Sequence, residues 1–79
     1  MRVVKEFTVD DIRVSIFSWN NKYLIKFETG PLEQTYKVPE MDVLEESDLD
    51  TFCEGTFFEG VKDRFKEMAQ SLYNQMQNL

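Results

Sequence analysis

The stretch Ile12-Arg13-Val14-Ser15-Ile16-Phe17-Ser18-Trp19, then Asn20-Asn21, then Lys22-Tyr23-Leu24-Ile25-Lys26-Phe27-Glu28-Thr29 reads as a β-hairpin. Both arms are rich in β-branched and aromatic residues, which suit a pleated, half-buried surface. Asparagine tolerates the positive φ that a tight two-residue turn demands. A turn at Asn20-Asn21 sets Ile16 opposite Ile25, Val14 opposite Phe27, Phe17 opposite Leu24 and Arg13 opposite Glu28. All are favourable cross-strand pairs. A turn at Asn21-Lys22 keeps the same faces but loses the Arg13–Glu28 pair, so the first register is expected.

Alternation of side chains divides the hairpin into two unlike faces. Ile12, Val14, Ile16, Tyr23, Ile25 and Phe27 form one, almost wholly apolar, which must be covered. Arg13, Ser15, Phe17, Trp19, Leu24, Lys26 and Glu28 form the other, which is mixed.

Working outward, Val3, Lys5, Phe7 and Val9 alternate with Val4, Glu6 and Thr8, the pattern of a preceding strand. An Asp10-Asp11 turn sets Phe7 against Val14 and Val9 against Ile12, which continues the apolar face. This reading puts Val3 on the apolar face and Val4 on the mixed face. On the other side, Gly30 ends the hairpin and Pro31 occupies the second position of a type I turn. Glu33 to Val38 is then a fourth strand, with Tyr36 and Val38 on the apolar face, and Pro39 ends it.

The acidic stretch 39–55 is a connection. Met41, Val43 and Leu44 are candidates for tucking beneath it, and a short helix is expected from about Asp48 to Glu54, capped by Ser47 and stopped by Gly55. Thr56 and Glu59 have capping-box spacing. From Thr56 onward, Phe58, Val61, Phe65, Met68, Leu72, Met76 and Leu79 recur at steps of three and four, the signature of an amphipathic helix over 56–79. It is expected to cross the apolar sheet face and overhang it by a turn. The expected fold is one α+β domain over 1–79: a four-stranded antiparallel meander over 2–38, the connection, and the helix packed on one face.

Seventy-nine residues with a net charge of −6 carry no histidine and a single cysteine, Cys53. The commonest general base is missing, and neither a zinc site nor an internal disulfide can be assembled. The three glycines form no phosphate-cradling loop, and Asp48, Asp50 and Glu54 fall in a solvated acidic run. The expectation is a protein that is not an enzyme, with no cofactor and no metal. Without an apolar run near membrane-spanning length, no membrane partner is expected, and the lone cysteine favours a cytoplasmic location. The charge is uneven: residues 40–59 hold eight acids and no base, and the rest is nearly balanced. Net acidity opposes broad affinity for phosphate backbones.

The candidate interaction surface is the mixed face: Phe17, Trp19 and Leu24, with Arg13, Lys26 and Lys37 beside them. A large aromatic patch away from the core needs an occupant. Three readings stay open: a loop of the same chain such as Met41 to Leu44, a second copy in a homodimer or another protein partner on this face or along a sheet edge, and a ligand or single-stranded nucleic acid, the latter held by base stacking and phosphate pairing. A lesser reading makes the helix itself a partner surface through Met76 and Leu79.

Four meander strands and a long helix, with Phe17-Ser18-Trp19-Asn20-Asn21-Lys22-Tyr23-Leu24-Ile25-Lys26-Phe27 as the most suggestive string, resemble the topology shared by Pur-alpha repeats, Whirly proteins and positive-cofactor-four coactivators. Leu32-Glu33-Gln34-Thr35-Tyr36-Lys37-Val38 is similar to small bacterial proteins of the same ββββα pattern. The group-level resemblance implies dimers that bind single strands through the sheet. Fold resemblance does not by itself carry function.

Overall fold

Short two-residue turns join each strand to the next. In the computed structural model, which describes all 79 residues, strands β1 (Arg2–Val9), β2 (Ile12–Trp19), β3 (Lys22–Thr29) and β4 (Leu32–Pro39) form one antiparallel sheet in the order β1-β2-β3-β4. A one-turn 3₁₀ helix (Glu40–Asp42), a longer 3₁₀ helix (Glu46–Cys53) and helix α1 (Gly55–Met76) follow.

The central register is the Asn20-Asn21 register: Arg13 opposes Glu28, Val14 Phe27, Ile16 Ile25 and Phe17 Leu24. Both turn asparagines have positive φ, 54° and 62°, as do Asp10 and Asp11, at 50° and 65°. An aspartate at Asp11 bears both steric strain and a like-charged neighbour, and Asp10 already has a partner in Lys62. Asp11→Gly is therefore expected to stabilise the fold by about 0.5–1 kcal/mol, seen as a raised urea midpoint at constant slope. The third turn differs from expectation. Thr29 pairs with Leu32, so Gly30 and Pro31 are its two central residues and Gly30 takes φ +55°. A positive φ at the first central residue is where a type II′ hairpin turn uses glycine, and it starts β4 one residue earlier than the type I reading did.

One correction falls on β1. Phe7 opposes Val14 and Val9 opposes Ile12 as expected, but the register slips between Val3 and Lys5. The extra residue of a bulge reverses every side chain beyond it. Val3 therefore opposes Phe17 on the outer face, and Val4 packs toward the core, the reverse of the uninterrupted alternation.

All six residues of the apolar hairpin face are buried, joined by Leu49, Phe58, Val61 and Phe65. Two elements share the cover. The longer 3₁₀ helix runs along β1: Arg2 meets Glu46 at 2.6 Å, Lys5 meets Asp50 at 2.7 Å, and Leu49 plugs the core. Eight residues are many for a 3₁₀ helix, and these anchors hold it in place of better backbone geometry. It begins two residues before the expected helix. Glu45, not Ser47, is its cap: the Glu45 N–H donates to Asp48 Oδ2 at 3.1 Å, and the Ser47 hydroxyl merely reaches the Glu45 carboxylate at 3.4 Å. Val43 packs toward the core, whereas Met41 and Leu44 stand exposed. Burial first, then the carboxylates of Glu46 and Glu40, push the Tyr23 phenol above its ordinary value.

Helix α1 covers the other part. Phe57 and Phe58 meet Phe27, the sixth residue of β3, so the helix enters past the strand midpoint. Buried Gln34 pins it: its Nε2 donates to the Val61 carbonyl at 3.0 Å, while the Tyr36 hydroxyl and Arg64 Nε donate to its Oε1 at 2.6 and 3.1 Å. Lys62 ties the same turn of helix to Asp10 at 3.5 Å. The expected capping box is not formed. The chain bends at Gly55, φ +64°, and the extended residue before the helix is Glu54, so Thr56 already lies within the first turn. Glu59 instead meets Lys62 at 3.0 Å. The helix ends at Met76 rather than running to Leu79 as expected, the chain closing in a turn through Gln77 and Asn78. Because the helix enters late, its overhang exceeds the expected single turn: Tyr73 and Met76, and Leu79 after the helix end, are exposed.

Candidate interaction surface

The outer face keeps what the hairpin pattern put there. Cross-strand rows run Val3–Phe17–Leu24–Lys37 and Trp19–Lys22–Pro39 at the Asn20-Asn21 end, then Glu6–Ser15–Lys26–Thr35 and Thr8–Arg13–Glu28–Glu33 toward the other end. The element that could have covered the patch does not. Met41 and Leu44 are solvent-exposed, and the connection between them packs Val43 on the opposite, core side. Trp19 remains 49% exposed and Val3 53%, with Phe17 and Leu24 half-buried between them.

Charge separates the face into two zones. At the far end the cations are spent: Arg13 meets Glu6 at 2.9 Å, and Lys26 lies 3.7 Å from Glu28 and 4.0 Å from Glu33. Arg13 is opposite Glu28 in register, yet its guanidinium turns to Glu6 on the neighbouring strand. At the aromatic end Lys37 and Lys22 have no carboxylate within bridging distance. The site thus differs from the six residues read from sequence. Phe17, Trp19, Leu24 and Lys37 come together, Arg13 and Lys26 belong to a neutralised zone, and Val3 and Lys22 join. Val3 was hidden by the bulge, which a Val3-Val4 pair disguises because either valine satisfies the alternation. Lys22 was legible, since it directly faces Trp19 across the turn.

Three carboxylates of the acidic connection are engaged elsewhere. Glu46 and Asp50 are ion-paired, and Asp48 caps the 3₁₀ helix. Cys53 is half-buried beside Phe7 and Val9, and burial, then the Asp50 charge, push its thiol up to about 11, with Lys5 partly opposing. Since only the thiolate attacks, alkylation of Cys53 in the folded chain is expected to rise about tenfold per pH unit until about pH 11, while the urea-unfolded chain levels off near 9. Iodoacetamide rates against pH check this. Levelling at the same pH in both states would show an ordinary, accessible thiol.

No group of His, Cys, Asp and Glu side chains gathers in a way that could hold a metal ion, and no helix is long and apolar enough to cross a membrane. Compared with protein-family models, curated proteins and solved structures, the chain matches none.

Proposed function

We propose that the protein is a non-catalytic interaction module. It binds another protein through Val3, Phe17, Trp19 and Leu24, and the favoured partner segment is apolar with flanking carboxylates. The observation that carries this reading is the half-exposed Trp19 set among apolar neighbours, with Lys22 and Lys37 left without counter-ions. Exposed aromatic anchors in an apolar patch are the residues that most often dominate binding energy. The two lysines add charge selectivity at the rim. Self-pairing through this face would gather four unpaired lysines at one interface, which favours a partner that brings acids.

The same tryptophan beside free lysines also suits a single-stranded nucleic acid, and that is the second reading. The neutralised Arg13 and Lys26 and the net charge of −6 weigh against it. A displayed random-peptide library, selected on the native chain and counter-selected on Trp19→Ser, separates the two. Enrichment of apolar peptides carrying Asp or Glu, lost on the variant, is the expected result. Enrichment indifferent to Trp19, or none, contradicts the proposal. Quenching of Trp19 emission by a short single-stranded oligonucleotide, reversed by salt, would transfer the function to nucleic acid.

A further inference from the structure

A second unpartnered surface lies at the opposite end of the molecule from Trp19. Helix α1 runs past the Gly30-Pro31 turn, and its apolar stripe continues through Leu72 to Tyr73 and Met76, 53% and 52% exposed, with exposed Leu79 just after the helix end. Beside this overhang is an open groove of about 770 Å³ between the helix and β4, floored by Leu32 and Tyr36, walled by Met68 and Leu72, with Pro31 at its mouth. Arg64 and Glu67 close its inner end. Arg64 is held there by Gln34 and lies over the Tyr36 and Phe57 rings. Knob and groove therefore sit side by side on one chain, the arrangement a two-fold axis can make self-complementary.

Charge identifies the occupant. In a chain with 30% charged residues, the stretch 68–79, Met68-Ala69-Gln70-Ser71-Leu72-Tyr73-Asn74-Gln75-Met76-Gln77-Asn78-Leu79, has no charged side chain. Two copies each carrying −6 repel wherever acidic surfaces approach. An uncharged helix end is where they meet without like-charge contact, and it offers a charged foreign partner nothing to pair with. The area suits a weak dimer. Half the lateral surface of the nine helical residues from Met68 to Met76 is roughly 250 Å², and the exposed Leu79 with the groove lining brings each copy to roughly 500 Å², below the ~800 Å² of a standard interface and in the range of weak, concentration-dependent association.

We infer that the chain forms a two-fold homodimer in which the overhangs of α1 pack antiparallel and each copy's Met76 enters the other's groove beside β4. This surface is separate from the aromatic face, so each dimer presents two Trp19 faces at its outer ends. A bivalent partner would then be held with avidity.

Light scattering and sedimentation of the full chain across micromolar to hundreds of micromolar test this. Concentration-dependent dimers are expected, not weakened by added salt because the helix end that enters the groove carries no charged side chain. Met76→Glu, and independently Tyr73→Glu, are each expected to weaken dimerisation at least tenfold, since two-fold symmetry applies each charge twice; circular dichroism confirms that either variant is folded. Trp19→Ser is expected to leave the dimer unchanged. A monomer throughout, a dimer weakened by salt, a dimer indifferent to both helix variants, or one lost with Trp19→Ser would overturn the inference. The last outcome would place self-association on the sheet face instead. Peptide selection on the Trp19 face reads the proposed function separately, so either idea can fail alone.

Discussion

Phe27→Ala is expected to unfold most of the protein at room temperature. Phe27 is fully buried, contacts the Tyr36, Phe57 and Phe58 rings, and is where α1 lands on the sheet. Truncating a buried phenylalanine costs about 3–5 kcal/mol through lost burial and the cavity left behind. A domain of 79 residues holds about 4–12 kcal/mol in all, and one with a single small core lies toward the low end. The cost is therefore comparable to the whole stability. Urea unfolding followed by circular dichroism should show a folded baseline reduced or missing, whereas Met41→Ala, at an exposed position, should leave the midpoint in place. A Phe27→Ala midpoint within a few tenths molar of the parent would mean that helix and sheet are not cooperatively docked.

The second large effect is functional. Trp19→Ser is expected to weaken capture of the selected acidic-apolar peptide by about thirtyfold or more, the ~2 kcal/mol or greater loss typical of a central aromatic anchor. Its stability change should stay below about 1 kcal/mol, because Trp19 contributes a cross-strand pair at the sheet end rather than core volume. Lys37→Glu should weaken the same peptide less, and increasingly less as salt is added, because a rim charge is screened. Peptide affinity by calorimetry alongside urea midpoints checks both. Equal losses in binding and stability would make Trp19 a structural residue.

These two residues show what alternation can and cannot reveal. Phe27 and Trp19 fall on opposite faces of one hairpin, and a period of two with a two-asparagine turn was enough to assign each. The strand order, the central register and the apolar stripe of α1 through Phe65 were legible for the same reason: each is written in local periodicity. What escaped depends on single residues or distant partners. The Val3–Lys5 bulge leaves no mark in a Val-Val pair. The start of α1 is decided by Gly55, whose positive φ moves the cap back to Glu54 and leaves the Thr56–Glu59 spacing unused. The placement of the longer 3₁₀ helix rests on the Arg2–Glu46 and Lys5–Asp50 pairs, more than forty residues apart in sequence. The candidate surface was legible in its aromatics. Its charges were not, because which cation stays free depends on whether Glu6, Glu28 and Glu33 reach Arg13 and Lys26 first.

The acidic connection also gains a physical role. Its carboxylates are spread along the 3₁₀ helix so that two of them dock onto β1. Acidity there secures the cover over one part of the core, while the outer face keeps two unpaired lysines. On the proposed reading, those two lysines are what an acidic partner segment would meet.

The most direct test of the central claim is the amide correlation spectrum of the ¹⁵N-labelled chain, titrated with the selected acidic-apolar peptide. Shift changes concentrated at Val3, Phe17, Trp19, Lys22, Leu24 and Lys37, with the Trp19 indole signal among the largest, are the expected result. Changes centred instead on the α1 overhang and Leu32, with Trp19 unmoved, would contradict it and assign partner binding to the other end of the molecule.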